Sequence, residues 1–500
     1  MFKKILIANR GEIALRVIRA CREMGIATVA VYSAVDREAR HVQMSDEAVF
    51  LGPPAPLESY LNIKAIVSAA QKTGAEAIHP GYGFLAENPL FAGRCEEAGI
   101  VFIGPDSKAL ALVGDKVASR KTAAGIGVLI IPGMMAPGRE MRDFEEAIQK
   151  IGYPALVKAS GGGGGKGMHI VRSAKELQER IEASRREARS AFGDDSVYLE
   201  KYLEQPRHVE FQVLADRHGN AVHLFERECS IQRRHQKIVE ETPSVAVSAE
   251  LRARMGEVAV AIIRATHYTN AGTVEFLLDQ DGNFYFLEVN ARIQVEHPIT
   301  EMVVGVDLVH QQIAIAAGEK LPFRQEELRQ RGHAIECRIY AEDPAAGFLP
   351  SPGKILFVRE PEGPGVRCDS GVYSGITVTP YYDPILSKLI VHAEDRESAR
   401  RRMITALADY TIIGIQTTVE FLREVIEHPE FAAGRTHTHF IEQHFPNWTP
   451  RTGDEALLDF ALIAGALAGQ ERAAARSSSA QKSLTPWQTV GRWAVGGGQN

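Results

Sequence analysis

The sequence is poor in cysteine, and its five cysteines are scattered with no CxxC spacing. That distribution argues against structural zinc and against a disulfide framework, and it favours a reducing cytoplasm. No uncharged apolar stretch is long enough to span a bilayer. The short apolar run in MFKKILIANRGE predicts a first strand rather than a signal peptide. We therefore expect a cytoplasmic protein with no membrane partner.

Two nucleotide-binding signatures are absent as well. The turn after the first strand lacks G-x-G-x-x-G, which weakens a dehydrogenase assignment. The glycine-rich stretch SGGGGGKGM lacks the Lys-Ser/Thr pair that opens a helix in a Walker motif. The formal net charge of -6, with Lys and Arg dispersed along the chain, argues against a nucleic-acid partner.

The length of 500 residues exceeds what one core can hold and predicts about three domains. Residues 4–9 and 28–32 have the pattern of strands on either side of a helix, which makes a βαβ unit. A second unit of the same kind covers residues 75–104. The N-terminal part is therefore predicted to be a small doubly wound α/β domain.

The middle of the chain favours hairpins over crossovers, which predicts an antiparallel sheet and a mixed α+β architecture. Its predicted strands span 153–159, 169–172, 208–215 and 221–227. A helix is predicted over 303–318, and a third region begins near Gly332 and contains a helix over 396–409. Beyond Pro446 the composition shifts to a helix-like segment at 454–469 and then to a flexible Ala/Ser/Arg-rich stretch.

The segment Gly272–Pro298 carries the strongest local signal for chemistry. It has the pattern of two strands joined at a two-residue Asp281-Gly282 turn, which places Glu275 opposite Glu288. Like charges directly opposite destabilise a sheet, and a hard cation such as Mg²⁺ between them relieves the repulsion. Polar residues then recur at every second position and share one face while the strand lasts. These residues are Glu288, Asn290, Arg292, Gln294 and Glu296.

The same alternation is also typical of a half-exposed strand with a wet face and no ligand. One bulge would shift the pairing by a residue. The pattern alone does not say whether the strand continues as far as Glu296, so both interpretations stay open at this point.

The glycine-rich stretch lies between two predicted strands, with Lys158 before it and Lys166 within it. Glycine lets backbone N–H groups turn toward phosphate oxygens, and lysines such as Lys116 and Lys158 neutralise phosphate charge. The alternative is a flexible linker. Two weaker signals accompany the glycine-rich stretch. The basic segment with His235 and Lys237 could hold an anion, and the alternative is a solvated basic face. The HPGYGF turn follows the end of a strand, where α/β sheets bind ligands.

Eight motifs now occur in the order of a known family and closely resemble biotin carboxylase, the ATP-grasp component of biotin-dependent carboxylases. The resemblance runs from residue 1 to about 446. The motifs are IANRGEIALR, HPGYGFLAEN, KASGGGGGKGM, EKYLEQPRHVE, ERECSIQRRHQK, EVNARIQVEHPITEM, GHAIECRIYAEDP and FLPSPGKI.

The resemblance implies an N-terminal α/β domain over 1–113, an ATP-grasp domain over 114–330 with a mobile glycine-rich lid at about 131–204, and a C-terminal biotin carboxylase domain over 331–446. Residues 447–500 remain as a partly flexible tail that is a candidate partner-docking segment.

The resemblance also implies the site. The implied ATP contacts are Lys116, Lys158, Gly164, Gly165, Glu200, Lys201, Tyr202, Leu203, His208, Gln232, His235, Glu275 and Glu288. The implied ligands for Mg²⁺ or Mn²⁺, with two ions expected, are Glu275, Glu288 and Asn290. The implied bicarbonate pocket is Lys237, Arg292, Gln294, Val295 and Glu296, with Glu296 as the base. Arg338 is implied to stabilise the enolate of biotin, with Tyr82 and Asp383 near the biotin ring.

The implied reaction is carboxylation of biotin by ATP and bicarbonate through carboxyphosphate. The chain has no Met-Lys-Met biotin-acceptor signature, so we expect the biotin carboxyl carrier protein and the carboxyltransferase to be separate partners. An acetyl-CoA or propionyl-CoA carboxylase is the first expectation, and the pyruvate type is the alternative. A homodimer is implied, with Arg16, Arg19 and Glu23 at its interface.

Two rival functions are retained. One is a different ATP-grasp carboxylate ligase, against which Glu296, Arg338 and the HPGYGF turn argue. The other is an inactive nucleotide-binding scaffold, against which the full set of implied catalytic residues argues.

Overall fold

The computed structural model describes residues 1–160 and 167–450. Two of the predicted ATP contacts, Gly164 and Gly165, lie outside the described residues, as does the predicted helix at 454–469. Residues Met1–Trp448 form one compact unit. Among the described residues, no helix is both long and apolar enough to cross a bilayer.

The N-terminal part is a parallel sheet with connecting helices, as predicted. The strands are β1 (Lys4–Ile7), β2 (Ala27–Ser33), β3 (Glu47–Gly52), β4 (Ala77–His79) and β5 (Val101–Phe102). The helices are α1 (Gly11–Glu23), α2 (Arg40–Met44), α3 (Ile63–Thr73), α4 (Pro89–Glu97) and α5 (Ser107–Gly114). The strand order β3-β2-β1-β4-β5 places the topological switch between β1 and β4, where open α/β sheets bind ligands.

Local sequence signals start and stop these helices. Asn88 caps α4 by accepting a hydrogen bond from the Phe91 amide, and Pro89 occupies the first turn, where its missing N–H costs nothing. Gly25 follows α1 at φ +70°, a left-handed conformation that glycine adopts without strain. These ends leave the loops after β1 and β4 side by side at the switch.

The next region has a core of its own. It contains the helices α6 (Lys116–Gly125), α7 (Met141–Ile151) and α8 (Ala174–Phe192) and the strands β6 (Ala155–Ala159), β7 (His169–Val171) and β8 (Val197–Lys201). The three strands form an antiparallel sheet in the order β7-β6-β8. Phe144 of α7 and Leu177 and Ile181 of α8 pack onto Val157 in a hydrophobic cluster confined to this region. That separate core is consistent with the predicted lid.

The middle of the chain is antiparallel sheet covered by helices, again as predicted. Its strands are β9 (Arg207–Ala215), β10 (Ala221–Arg233), β11 (Gln236–Thr242), β12 (Asn270–Leu278), β13 (Phe284–Asn290) and β14 (His333–Tyr340). Its helices are α9 (Ala249–Ala265), α10 (His297–Val304) and α11 (Leu308–Ala316).

The C-terminal part contributes small sheets and a helical layer. The strands are β15 (Glu342–Asp343), β16 (Leu349–Pro350), β17 (Gly353–Lys354), β18 (Phe357–Arg359), β19 (Val366–Ser370), β20 (Thr377–Val378), β21 (Ile385–Ala393) and β22 (Thr411–Ile413). The helices are α12 (Arg396–Asp409), α13 (Val419–Glu427), α14 (Pro429–Ala432) and α15 (Phe440–His444). Three short 3₁₀ helices lie at Ala34–Asp36, Pro56–Glu58 and Gln325–Glu327.

One sheet runs through the middle and C-terminal parts in the order β13-β12-β9-β10-β11-β14-β21-β19. The sheet contains strands from both sides of residue 330, so the domain boundary expected at that residue stays a prediction. The sheet matters for the site because it carries side chains from β9, β11, β12, β13 and β14 on a single scaffold.

One predicted element was wrong in extent. The helix predicted over 303–318 is two helices, because Gly305 ends α10 at φ +75° and the Asp307 side chain caps α11 by accepting from the His310 amide. The extent of β13, which the sequence left open, is now defined: the strand ends at Asn290 and does not continue toward Glu296.

Candidate active site

A cavity of about 1190 Å³ opens between the parallel sheet, the lid region and the antiparallel sheet. Every predicted site residue within the described ranges lines it. They are Tyr82, Lys116, Lys158, Glu200, Lys201, Tyr202, Leu203, His208, Gln232, His235, Lys237, Glu275, Glu288, Asn290, Arg292, Gln294, Val295, Glu296, Arg338 and Asp383. The structure thus brings together, in one cleft, residues that are up to three hundred positions apart in the chain.

The hairpin register is confirmed: Glu275 lies directly opposite Glu288. The loop is longer than the predicted two-residue turn, since the last paired residues are Leu278 and Phe284. The longer loop shifts the pairing by one residue relative to the predicted register. A bulge between Glu275 and Phe276 shifts it back, so Glu275 again pairs with Glu288. Two errors in the local prediction therefore cancel at the position that matters.

After Asn290 the chain leaves the sheet, so strand alternation does not explain the residues that follow. The amide of Ala291, which a longer strand would offer to its neighbour, donates instead to Glu87 Oε1 at 2.9 Å. Arg292 Nε donates to the other oxygen of Glu87 at 3.0 Å. Glu87 comes from the loop after β4, so the parallel sheet holds this turn in place. Gln294 and Glu296 are nevertheless buried at the cavity floor.

Lys237 of β11 lies at the centre of the buried charges. Its Nζ contacts a carboxylate oxygen of Glu210, Glu275 Oε1 at 2.7 Å and Glu296 Oε1 at 2.8 Å. Burial disfavours the ammonium form, but these three carboxylates raise the pKa of Lys237 well above its usual value. Lys237 is therefore a fixed cation where three acidic side chains converge.

Glu296 is held on its other side by Arg338 of β14. Arg338 Nη2 lies 3.0 Å from Glu296 Oε2, and Arg338 Nε lies 2.6 Å from Glu240 Oε1. Burial alone would raise the pKa of Glu296, but Lys237 and Arg338 lower it below its ordinary range. Glu296 is thus an ionised carboxylate at neutral pH and can accept a proton.

Besides Glu240, two buried residues of this network escaped the sequence reasoning. Arg227 is fully buried and donates to Glu210 Oε1 at 2.7 Å and to Gln294 Oε1 at 2.6 Å. Glu210 lies opposite Glu275 in the pairing of β9 with β12. The alternating polar residues of HVEFQV, which place His208, Glu210 and Gln212 on one face, are the signal that could have found Glu210. Arg227 carries no comparable signal in the sequence.

The end of the cavity nearest the lid is more open. Lys116 Nζ lies 3.3 Å from Glu288 Oε2, and both side chains are about one-third exposed (37% and 33%). Lys158 Nζ lies 2.6 Å from Glu200 Oε2. Arg120, which was not predicted, contacts the other oxygen of Glu200. Apolar side chains line the same end: Ile131, Leu156, Met168, Ile170, Leu277 and Phe286. An apolar slot beside two lysines suits a base and its phosphates.

At the opposite end the loops of all three regions meet. The Tyr82 hydroxyl contacts a carboxylate oxygen of Glu12, whose other oxygen lies 3.2 Å from Lys388 Nζ. Lys388 also donates to the Val295 carbonyl at 3.0 Å. Burial raises the pKa of Glu12 to about 7 although Lys388 opposes that rise. Val295, in the predicted anion pocket, is in this way tied to Tyr82.

An antiparallel sheet with opposed acidic residues, a second small sheet with a core of its own, and lysines in the cavity between them is the arrangement of the ATP-grasp class of ATP-dependent ligases. Three family models match the chain: "Biotin carboxylase, N-terminal domain" over 1–110, "Carbamoyl-phosphate synthase L chain, ATP binding domain" over 115–324, and "Biotin carboxylase C-terminal domain" over 336–443.

Relatives and solved structures agree. The chain is 53% identical to a pyruvate carboxylase subunit of Methanothermobacter thermautotrophicus over 89% of its length and 90% of that protein. It is 53% identical to biotin carboxylase of Nostoc sp. over 88% of its length and 99% of that protein. The biotin carboxylase domain dimer of Hydrogenobacter thermophilus 2-oxoglutarate carboxylase, solved with MgADP, ADP and bicarbonate, superposes with a TM-score of 0.87. It is 49% identical, covering 90% of this chain and all of that one.

The chain belongs to the biotin carboxylase family, and it is an ATP-dependent ligase with the three-part architecture of that family.

Proposed function

We propose that this chain transfers a carboxyl group from bicarbonate to biotin on a carrier protein, with carboxyphosphate as the intermediate. The observation that carries the proposal is Glu296, a buried carboxylate fixed between Lys237 and Arg338 at 2.8 and 3.0 Å. A base between two cations suits the deprotonation of a bound anion beside a second substrate.

For the first step we assign the bicarbonate pocket to Lys237, Arg292, Gln294, Val295 and Glu296. Glu296 accepts the bicarbonate proton, a bicarbonate oxygen forms a bond to the γ-phosphorus of ATP, and the bond to ADP breaks. Phosphoryl transfer depends on positioning and charge neutralisation more than on covalent help from the protein. Holding both reactants in one cavity removes most of the entropic barrier.

The nucleotide is assigned to the open end of the cavity. Lys116 and Lys158 bind its phosphates, and Gly164 and Gly165, which lie outside the described residues, are assigned to the same phosphates. The segment Glu200–Leu203, together with His208, Gln232 and His235, contacts the rest of the nucleotide. Lid closure excludes water from a labile carboxyphosphate.

Glu275, Glu288 and Asn290 are assigned as ligands of Mg²⁺ or Mn²⁺. They offer carboxylate and amide oxygens, the donors that these hard cations prefer, and the two carboxylates lie directly opposite each other. The residues present therefore fit the group. A bound cation would neutralise phosphate charge. Lys237 and His208 hold Glu275, with His208 Nε2 at 3.0 Å from Glu275 Oε2, and they orient this ligand.

In the second step the bond between the carboxyl carbon and the phosphate oxygen breaks, the released phosphate takes the proton of the ureido N–H of biotin, and that nitrogen forms a bond to the carboxyl carbon. Arg338 is assigned to the enolate oxygen of biotin, where a buried cation stabilises developing negative charge. Tyr82 and Asp383 line the same end of the cavity and are assigned to the biotin ring.

We propose a cytoplasmic enzyme that works with a biotin carboxyl carrier protein and a carboxyltransferase, and that forms a homodimer. For the dimer contact, α1 supplies exposed Arg19 and Glu23. Arg16 is buried within the protomer by Glu301 at 2.9 Å and Asp307 at 2.7 Å, so its contribution is to shape α1. An acetyl-CoA or propionyl-CoA acceptor is the first candidate. The relative named as part of a pyruvate carboxylase supports an oxo-acid acceptor as the second.

The test uses free biotin, ATP and bicarbonate with the variants Glu296→Gln and Arg338→Ala. Both are expected to lose biotin carboxylation while still binding ATP, whereas Arg401→Ala, at an exposed site on α12, retains it. Carboxylation at the parent rate by either site variant would show that the assigned roles are wrong. ATP cleavage that requires both bicarbonate and biotin separates this function from other ATP-grasp ligases, and a screen of purified acceptors with a biotinylated carrier separates the two acceptor classes.

A further inference from the structure

The side of the Arg338 guanidinium that faces away from the cavity contacts Glu240, which does not line the cavity. Arg338 Nε lies 2.6 Å from Glu240 Oε1, and the Glu240 side chain is fully buried. Because Glu240 takes Nε and Glu296 takes Nη2 at 3.0 Å, the guanidinium is anchored on two sides. A charge-assisted contact at this distance fixes orientation as well as charge.

A second buried acid lies directly across the sheet from Glu240. Glu336 of β14 pairs with Glu240 of β11 and has no exposed surface. Among the described residues, neither Glu336 oxygen has a hydrogen-bond partner, and the same is true of Glu240 Oε2. Two ionised carboxylates directly opposite each other repel, and burial strongly disfavours an unpaired charge. The arrangement therefore favours a proton on one of these two carboxyl groups.

The cations on this face are already engaged by other groups. Lys388 lies opposite Arg338 on β21, and its Nζ is taken by the Val295 carbonyl at 3.0 Å and Glu12 at 3.2 Å. Arg338 is taken by Glu240 and Glu296. Neither cation makes a hydrogen bond to Glu336 among the residues described.

Helix α10 covers the same face, since Ile299 and Val303 pack on Ala334 and Ile390. The titratable residues of α10 are His297 and Glu301. His297 Nδ1 bonds the Gln294 carbonyl at 2.7 Å, and Arg16 and Arg367 hold Glu301. Burial lowers the pKa of His297 well below its usual value, so this side chain adds no positive charge near Glu336.

We propose that Glu240 is a positioning residue for Arg338, and that Glu336 is a neutral carboxylic acid beside it, so that the pair carries at most one negative charge. This inference rests on the assignment of Arg338 to the biotin enolate. A second negative charge behind Arg338 would compete with the enolate for its positive charge. A single charge holds the guanidinium in place and leaves its field directed at the cavity.

The acid–base balance of the pair supports this reading. Burial raises the pKa of Glu336 well above its usual range, and the nearby Glu240 raises it further while Lys388 opposes the rise. Burial also raises the pKa of Glu240, to about 7, although Arg338 opposes that rise. Of the two carboxyl groups, Glu336 is therefore the one that keeps its proton.

Kinetics of free-biotin carboxylation separate the two residues. Glu336→Gln replaces a neutral acid by a neutral amide of the same shape, so kcat/KM for biotin is expected to stay within about threefold of the parent value. Glu240→Gln removes the charge that orients Arg338, and kcat/KM for biotin is expected to fall about a hundredfold, with KM for ATP little changed. Glu240→Asp, which keeps the charge, should recover part of the loss. Equal effects of Glu240→Gln and Glu336→Gln would overturn the positioning role.

Infrared difference spectroscopy of the full chain tests the proton directly and needs no activity. The parent protein at neutral pH should show the C=O stretch of a protonated carboxylic acid that is missing from Glu336→Gln. A difference spectrum with carboxylate bands only would overturn the inference. The acid band could be present while Arg338→Ala still carboxylates biotin at the parent rate. That result would confirm that Glu336 is a neutral acid, but it would overturn the role assigned to Arg338 and therefore the positioning role of Glu240.

Discussion

The two ends of the cavity hold their charges in different ways. At the end that we assign to the phosphates, here called the phosphate end and defined by Lys116 and Glu288, the ion pair is 3.3 Å long and its side chains are 37% and 33% exposed. At the end that we assign to bicarbonate, here called the bicarbonate end and defined by Lys237, Glu296 and Arg338, the Lys237–Glu296 pair is 2.8 Å long and its side chains are 12% and 2% exposed. The Lys116–Glu288 pair is partly exposed to solvent, and the Lys237–Glu296 pair is buried.

The difference follows from the cost of burying charge. A charge that is largely removed from water must be compensated by protein partners, so the buried end carries a complete network. The exposed pair at the phosphate end is compensated by water and can exchange one partner for another at little cost. On the proposed assignment, the protein preorganises the site of the small anion and leaves the site of the larger nucleotide adaptable.

The largest effect we predict is on Lys237. Lys237→Gln leaves Glu210, Glu275 and Glu296 facing one another without their shared cation, and the free energy of unfolding should fall by about 3–5 kcal/mol, as for other broken buried ion pairs. Urea denaturation followed by fluorescence measures this loss. The matched variant is Lys116→Gln at the exposed end. If both variants lose the same stability, the contrast between the two ends is false.

The second prediction concerns the pH dependence of stability at the bicarbonate end. The pKa of Glu296 is lower in the folded than in the unfolded protein, so its contribution is present above the unfolded value of about 4.3 and is lost as the pH falls toward the folded one. Glu296→Gln should therefore flatten the loss of stability below about pH 4.5, a change of about 2 kcal/mol across that limb. Denaturation at a series of pH values measures the slope. A slope equal to the parent's would contradict the assigned ion pairs.

The contrast between the two ends also explains which features of the fold and the site could be predicted from the sequence. The parallel and antiparallel sheets followed from hydrophobic period and turn residues, which are local properties. Glu275 opposite Glu288 also followed, although a longer loop and a bulge both contributed. These predictions concern neighbours in one hairpin, where spacing along the chain determines spacing in space.

The buried network could not be predicted from the residues alone, because its members meet only in the folded sheet. Arg227 on β10 meets Gln294, which lies beyond β13, and Arg338 on β14 meets Glu240 on β11. Strand order decides such contacts, and the sequence does not state it. The end of strand alternation at Asn290 could not be predicted either, because the Ala291 amide donates to Glu87 from a distant loop. Glu296 and Arg338, which the family resemblance implied, both line the cavity, but the resemblance named neither Glu210 nor Arg227.

The third prediction addresses Glu87, which joins the two sheets at the edge of the bicarbonate end. Glu87→Gln keeps one acceptor but loses the charge that orients Arg292, so KM for bicarbonate should rise about fivefold, and stability should fall by about 1 kcal/mol. Steady-state kinetics at varied bicarbonate measure the first effect. Glu97→Gln, in an exposed pair on α4, is the control and should change neither quantity. A rise in KM for ATP alone would place Arg292 at the phosphate end instead.

The smallest effect on stability is expected for Lys116→Gln, and it sharpens the comparison most. The exposed pair with Glu288 contributes less than about 1 kcal/mol, so the urea midpoint should barely move. The same change removes a cation from the triphosphate, and Kd for ATP should rise about tenfold, equivalent to about 1.4 kcal/mol of binding. For Lys237→Gln, in contrast, we expect a large loss of stability. Isothermal titration with ATP beside urea denaturation measures both quantities on one preparation. A Lys116 variant that loses stability but binds ATP normally would mean that the phosphate end is part of the scaffold, and that the nucleotide depends on Lys158 instead.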